Sequence, residues 1–537
     1  MPWIAGTYAP ADDATSRQAQ RWIDSLHVGG LIISVGPPTE IAAKLNALQR
    51  RSVLPLLVGS DLESGTSIRL QGGTAFPPQM GLGAIGDTVL AEAVGRVTAL
   101  EGRAVGMHLA FAPVADVNNN PDNPIINTRA FGEDPAAVGR LSVALMRGIE
   151  RNGMAATVKH FPGHGDTGTD SHIALPLITA STARLDSVEL RPFREAIAAG
   201  VTGVMSAHLA FPALTGDSAR PGTLSPAVLT GLLREQLGFR GLVVTDALDM
   251  GAVVSTYGSG EAAVLALEAG ADLLLQPKDA DLAVRAVVAA VSSGRVPMAR
   301  LDASVRRLLT LKVRLGLFRE RLVPLDSVAS QVGRADFLRT AREAAARALV
   351  LADDASGAAA RLRAGPSRLA IVTYDQEPRA TAAAPLVAAL RARGDTVQLV
   401  RLSSQSGAAA LDSARSALAA AGVNIAVIAV RAVAGRGGIG VPSAITALLD
   451  SAAAQRPFLL VSLGSPYVIR PLPSVSSYLL GWSTTTAVEQ AVAAAVLGRT
   501  AITGRLPVSI PPRYRLGDGR SVPGRSDAPI PSGSVGN

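Results

Sequence analysis

A repeat in hydropathy, more than any single residue, limits what this chain can fold into. A short apolar run ends in polar or titratable side chains, a longer stretch of helical period follows, and the pair recurs. The runs are Trp3–Ala5, Gly30–Ser34, Leu54–Val58, Met107–Val117, Ala155–His160, Gly203–His208, Gly241–Asp246 and Asp272–Gln276. Eight such βα units over roughly 300 residues predict an α/β fold of the (β/α)8 TIM-barrel class. The other arrangement of alternating strands and helices is an open doubly wound sheet. It needs a Gly-rich phosphate turn after its first strand, and none stands there. In a barrel the reactive groups gather at the C-terminal strand ends. By this reading Asp61, Lys159, His160, His208 and Asp246 fall at the mouth.

The repeat also divides the chain. Residues 1–320 read as the barrel and residues 321–345, rich in Arg and Ala, as a helical linker. A second series of strands follows: Ala346–Ala352, Leu369–Tyr374, Thr396–Leu402, Ile425–Val430, Phe458–Leu463 and Tyr478–Trp482. It predicts a smaller α/β sandwich over 346–511. From Pro512 the composition turns to Gly, Pro, Ser and Arg, and 512–537 is expected to be a flexible tail. At 537 residues and 48% hydrophobic content, two full cores are affordable.

Charge and composition remove several function classes. The net charge is +8, but the basic residues are almost all Arg and scattered singly, with only 4% aromatics. A nucleic-acid footprint would be clustered, so no nucleic-acid partner is expected. No apolar run is long enough to span a membrane. With no Cys, disulfides and thiolate metal sites are impossible. The N-terminal residues read as the end of a strand, without the charged and apolar regions of a leader. This suggests a late start site. The expected location is periplasmic or secreted if a signal lies upstream, and cytoplasmic otherwise. The sequence leaves the oligomeric state open.

The stretch Thr157–His172, TVKHFPGHGDTGTDSH, concentrates the chain's rare titratable residues: three of its six His and one of its four Lys. An apolar strand running into Lys159 and His160 and then a Gly- and Asp-rich loop has the form of an active-site mouth. Asp246 closes the wholly apolar VVTD run. A carboxylate there is a candidate nucleophile, since an oxocarbenium-like transition state needs negative charge below the anomeric carbon. Its bland alternative is capping the next helix, a task Asp249 could take instead. Asp170 and His172 stand two apart, and an Asp beside a His holds its tautomer for proton transfer. The same pair would equally serve to tie down the loop. Asp61, Arg69, Arg129, Lys159 and His160, near strand ends, suit charge-assisted hydrogen bonds to sugar hydroxyls.

KHFPGHGDTGTDSH, FAPVADVNNNPDNPIINTRAFGEDP, SDLE and VVTDALDM together resemble the bacterial β-N-acetylhexosaminidases of glycoside hydrolase family 3. The likeness covers residues 1 to about 320 and is much looser in the second domain. It implies a retaining enzyme that needs no metal or other cofactor. Asp246 would be the nucleophile and His172 the acid/base paired with Asp170. Asp61, Arg69, Arg129, Lys159 and His160 would hold an N-acetylglucosamine of a cell-wall or chitin-derived saccharide. Two departures stand out. The Gly-Gly pair usual after Asp-Leu-Glu is replaced by Ser64-Gly65, with Arg69 keeping its spacing of eight from Asp61, and an N-terminal helix is missing. Alternatives on the same residues are a β-glucosidase, a glycoside phosphorylase, a metal hydrolase using His160, His164 and Asp166, and a non-catalytic sugar-binding protein.

Overall fold

The structure is a computed structural model and describes residues 1–377, 382–433, 435 and 438–525. It comprises two compact units. One is Met1–Ala341 with Ala432–Gly438; the other is Arg342–Arg431 with Ile439–Asn537.

The first unit is built on parallel strands in sequence order. They are β1 (Trp3–Ile4), β2 (Gly30–Ile33), β3 (Leu57–Ser60), β4 (Leu109–Ala110), β5 (Ala155–Phe161), β6 (Gly203–Ser206) and β7 (Leu242–Val244). Every residue of β2 to β7 is buried, as a sheet covered by helices requires. Side chains from six of these strands fill the interior, with Ile32, Leu57, Leu109, Ala155, Met205 and Leu242 in one cluster. The fold is the barrel class the repeat predicts.

The strands are less regular than their hydropathy. Seven regular strands form among the described residues of the first unit, where eight apolar runs led us to expect eight. The eighth run, Asp272–Gln276, makes a single parallel bridge to β7, Val244 to Leu273. On its other side Gln276 N–H donates to the Met1 carbonyl at 2.9 Å, and the Met1 ammonium donates to the Leu274 carbonyl at 2.7 Å. The run thus occupies the eighth position without a regular ladder. Its Asp272 carboxylate accepts the Val243 N–H (3.0 Å), so a side chain takes a donor that a carbonyl would otherwise use. The run Met107–Val117 pairs regularly only at Leu109–Ala110, because Pro113 has no N–H to give.

The second unit holds a six-stranded sheet. Its strands are β8 (Val350–Asp354), β9 (Arg368–Asp375), β10 (Thr396–Leu402), β11 (Val423–Ala429), β12 (Phe458–Ser462) and β13 (Ser477–Leu480), in the order β10-β9-β11-β12-β13-β8. All pairs are parallel except β13 with β8. The strand expected from Ala346 starts later, because the helix Ala335–Arg347 runs through that point. The tail expected from Pro512 is a correction. Tyr514 bridges Ile510, Arg520 bridges Leu351 and Val522 bridges Ile502. Backbone pairing needs no apolar side chains, so a polar, Gly-rich composition hid it. Residues 526–537 of that expected tail lie outside the described residues. Among the described residues no helix is long and apolar enough to cross a membrane.

Candidate active site

β5 is the hub of the first unit's polar chemistry. Its last residues place Lys159 and His160 where β3 and the segment after β4 also end. Lys159 is only 3% exposed in its side chain, and its ammonium lies 2.9 Å from Asp61 Oδ1 and 2.7 Å from Glu63 Oε1. Arg129 closes a fork on Glu63, Nε to Oε2 at 2.9 Å and Nη2 to Oε1 at 2.8 Å. Arg69 Nη2 reaches Asp61 Oδ2 at 3.0 Å. Burial alone would raise the Asp61 and Glu63 carboxyls. The facing cations overcome it, so Asp61 titrates below its ordinary range and Glu63 well below. Burial would likewise lower the Lys159 ammonium, yet Glu63 and Asp61 raise it. The cluster is therefore fully charged and presents aimed donors and acceptors.

His160 is oriented from behind. Its Nδ1 lies 2.7 Å from Asp116 Oδ2, and its N–H donates to Asp116 Oδ1 at 3.1 Å. Asp116 Oδ1 also accepts the His164 N–H at 2.8 Å. Asp246 follows β7 directly, and its Oδ1 accepts the Ala247 N–H at 2.8 Å. Burial would push its carboxyl up, but His160, His208, the Ala247 N–H and Lys159 hold it down at about 2. It is ionised at every pH of interest. Neither Asp246 nor Asp249 caps the following helix, Gly251–Ala269, which starts at Met250 without a side-chain cap. Asp249 accepts from Gln276 Nε2 instead, at 2.8 Å.

The dyad sits on the loop after β5. Asp170 Oδ1 accepts both the His172 N–H and His172 Nδ1, each at 2.9 Å, and Oδ2 accepts the Gly435 N–H at 2.8 Å. Burial would raise the Asp170 carboxyl, and these donors bring it below the usual value. A carboxylate on Nδ1 places the mobile proton of His172 on Nε2. That imidazole is 34% exposed while Asp170 is buried.

The family model described as "Glycosyl hydrolase family 3 N terminal domain" matches residues 2–311. The chain belongs to glycosyl hydrolase family 3. It is 36% identical over 340 residues to a β-N-acetylglucosaminidase/β-glucosidase of Cellulomonas fimi, covering 62% of this chain and 60% of that protein. It thus spans less than two thirds of that relative's length. It is 37% identical over 290 residues to a β-hexosaminidase of Thiobacillus denitrificans, covering 52% and 78%. Among solved structures, a glycoside hydrolase family 3 β-N-acetylglucosaminidase of Paenibacillus sp. str. FPU-7 superposes with a TM-score of 0.83. It is 34% identical and covers 95% of this chain and 97% of its own.

Within this family 3 chain, Asp61, Arg69, Lys159, Arg129 and His160 form one connected cluster, with Lys159 bonded to Asp61 and Arg129 2.8 Å from Glu63 and 3.4 Å from His160. Asp170 and His172 pair with each other. Sequence reasoning passed over Glu63, which shares Lys159 and Arg129, and Asp116, which aims His160. Both stood inside the quoted motifs: SDLE ends in Glu63, and Asp116 interrupts an otherwise apolar FAPVADV. A carboxylate within a buried run is the signal that could have found them. His160 and His164 have ring centroids 5.6 Å apart. The His160 nitrogens face Asp116 and Arg129, and His164 Nε2 faces Ser171 at 2.9 Å. His164 Nδ1 has no partner, but the other three nitrogens are engaged, and the described residues hold no group of three or more His, Asp or Glu set to bind a metal, which speaks against the metal-hydrolase alternative.

Proposed function

We propose that this protein is a retaining β-N-acetylhexosaminidase acting on terminal β-N-acetylglucosaminides of cell-wall or chitin-derived saccharides. One observation supports the reading: an ionised, strand-end Asp246 and the His172 of a loop-borne Asp170–His172 dyad both lie within electrostatic reach of His208. Asp246 attacks the anomeric carbon while protonated His172 gives its Nε2 proton to the departing glycosidic oxygen. This forms a covalent glycosyl-enzyme and releases the aglycone as an alcohol. His172, now neutral, takes a proton from water as that water displaces Asp246 with a second inversion. Asp170 holds the imidazole and stabilises its charged form. Asp61, Arg69, Arg129, Lys159 and His160 bind the sugar hydroxyls, with Glu63 and Asp116 holding the cations and the imidazole in place.

The relatives' names support an N-acetyl sugar as substrate, and the Cellulomonas fimi relative is named a β-glucosidase as well, so the test includes both sugars. Wild type and Asp246→Asn are assayed on an aryl β-N-acetylglucosaminide and the matching β-glucoside. Turnover selective for the N-acetyl sugar that collapses in the variant is the expected result. Equal or better turnover of the glucoside, or full activity in Asp246→Asn, overturns it.

A further inference from the structure

A dyad carried on a loop works only if something sets its distance from the nucleophile. The loop's backbone rests on the segment that follows Asp246. The His172 carbonyl accepts the Gly251 N–H at 3.3 Å, and the Ser171 carbonyl accepts the Ala252 N–H at 3.4 Å. Both bonds are long, so close approach matters more than their strength. A Cβ on Gly251 would lie 2.8 Å from the carbonyl oxygens of both His172 and Ile173. Those are backbone atoms and cannot swing aside as the end of a long side chain does. Gly251 is not among the glycines with positive φ. Its backbone therefore does not call for glycine; the space does. A second tether acts from the other side. Ser171, between the two dyad residues and buried, has its Oγ 2.9 Å from His164 Nε2. His164 is anchored in turn through its N–H to Asp116.

We propose that Gly251, together with the Ser171–His164 latch, is a positioning element that seats the dyad loop against the segment carrying Asp246 and so sets the spacing of acid/base and nucleophile. Gly251 lies five residues after Asp246 in the chain, so a shift of the loop away from it changes that spacing directly. Proton transfer to a departing oxygen tolerates little displacement. The inference rests on reading Asp170–His172 as the acid/base.

The test compares kcat/KM on two aryl β-N-acetylglucosaminides. One has a dinitrophenyl leaving group that departs without a proton; the other has a poor, alkyl-substituted phenol that needs one. Gly251→Ala is expected to lose about 10- to 100-fold on the poor leaving group and under about threefold on the activated one. Ser171→Ala, which adds no bulk, should show the same pattern more weakly. Equal losses on both substrates in Gly251→Ala, or no loss on either, overturn the proposal. If Gly251→Ala does not fold, Ser171→Ala decides: leaving-group-selective loss upholds the seat, and its absence overturns it. His172→Ala separates the two layers of argument. Without leaving-group dependence in that variant, the acid/base reading itself falls. With dependence there but not in Gly251→Ala, only the seat does.

Discussion

The strand-end cluster and the dyad loop bring charge to the same mouth by opposite means. Lys159 stands on β5 and Asp61 and Glu63 just beyond β3, while Arg69 and Arg129 come in from turns in the loops after β3 and β4; each charge is answered by another at 2.7–3.0 Å. None can change protonation without leaving a buried partner uncompensated. Asp170 and His172 stand on a Gly-rich loop, with one member buried and the other open to solvent. The reaction proposed above would use both: a permanently charged surface to hold hydroxyls, and one group that gains and loses a proton each turnover. On that proposal, separating them into a mutually paired cluster and a partly exposed dyad lets each be met without compromising the other.

Four experiments test that division, from the largest effect down. Asp246→Asn should cut kcat by about 10⁴-fold or more for every leaving group, because no proton donor can replace a nucleophile. A loss confined to poor leaving groups would place Asp246 with the proton-transfer machinery instead. Lys159→Met leaves Asp61 and Glu63 buried with fewer counter-charges. It should cost about 3–5 kcal/mol in denaturant unfolding as well as raising KM. An unchanged unfolding midpoint would mean that the cluster is not the charge lock described above.

The third concerns pH. Burial first, then the nearby His160, depresses His164 from the usual 6.5 to about 4. The unfolded chain therefore binds a proton that the folded chain refuses as pH falls below 6.5. Stability from this group is complete above 6.5 and lost progressively down to about 4, on the order of 3 kcal/mol in all. Asp61, Glu63 and Asp246, all depressed, add to the loss at still lower pH. Unfolding free energies at pH 7 and pH 5 should differ for wild type and differ less for His164→Gln. An identical pH dependence in both would show that His164 does not anchor the loop as a neutral group. The smallest effect is expected from His172→Ala on the poor leaving group, about 10²-fold in kcat/KM, with little change in unfolding because the ring is partly exposed. Added azide should restore kcat on the activated substrate by attacking the glycosyl-enzyme in place of base-assisted water. No rescue would assign His172 a role other than proton transfer.

Much of the candidate site was legible because its residues are rare and close in sequence. Asp170 and His172 are two apart, Lys159 and His160 adjacent, and Asp246 ends an apolar run. Their partners were harder to find, because pairing across strands leaves no local trace. Glu63 and Asp116 look like ordinary strand-end carboxylates until β3, β5 and the segment after β4 converge. Gly251 is one of 53 glycines in the chain, and nothing nearby in sequence marks it as a close approach.

The sequence by itself determined the barrel class, the second α/β unit and the stretches where titratable residues concentrate. Hydrophobic period and strand-end polarity are local properties, written into consecutive residues. Tertiary structure alone decided which carboxylate faces which cation, that Asp272–Gln276 takes the eighth position without a regular ladder, and that residues near 520 pair rather than trail. Those outcomes depend on backbone hydrogen bonds and on side chains meeting across tens or hundreds of residues. The energy of such meetings belongs to pairs, so no single position in the chain can announce it.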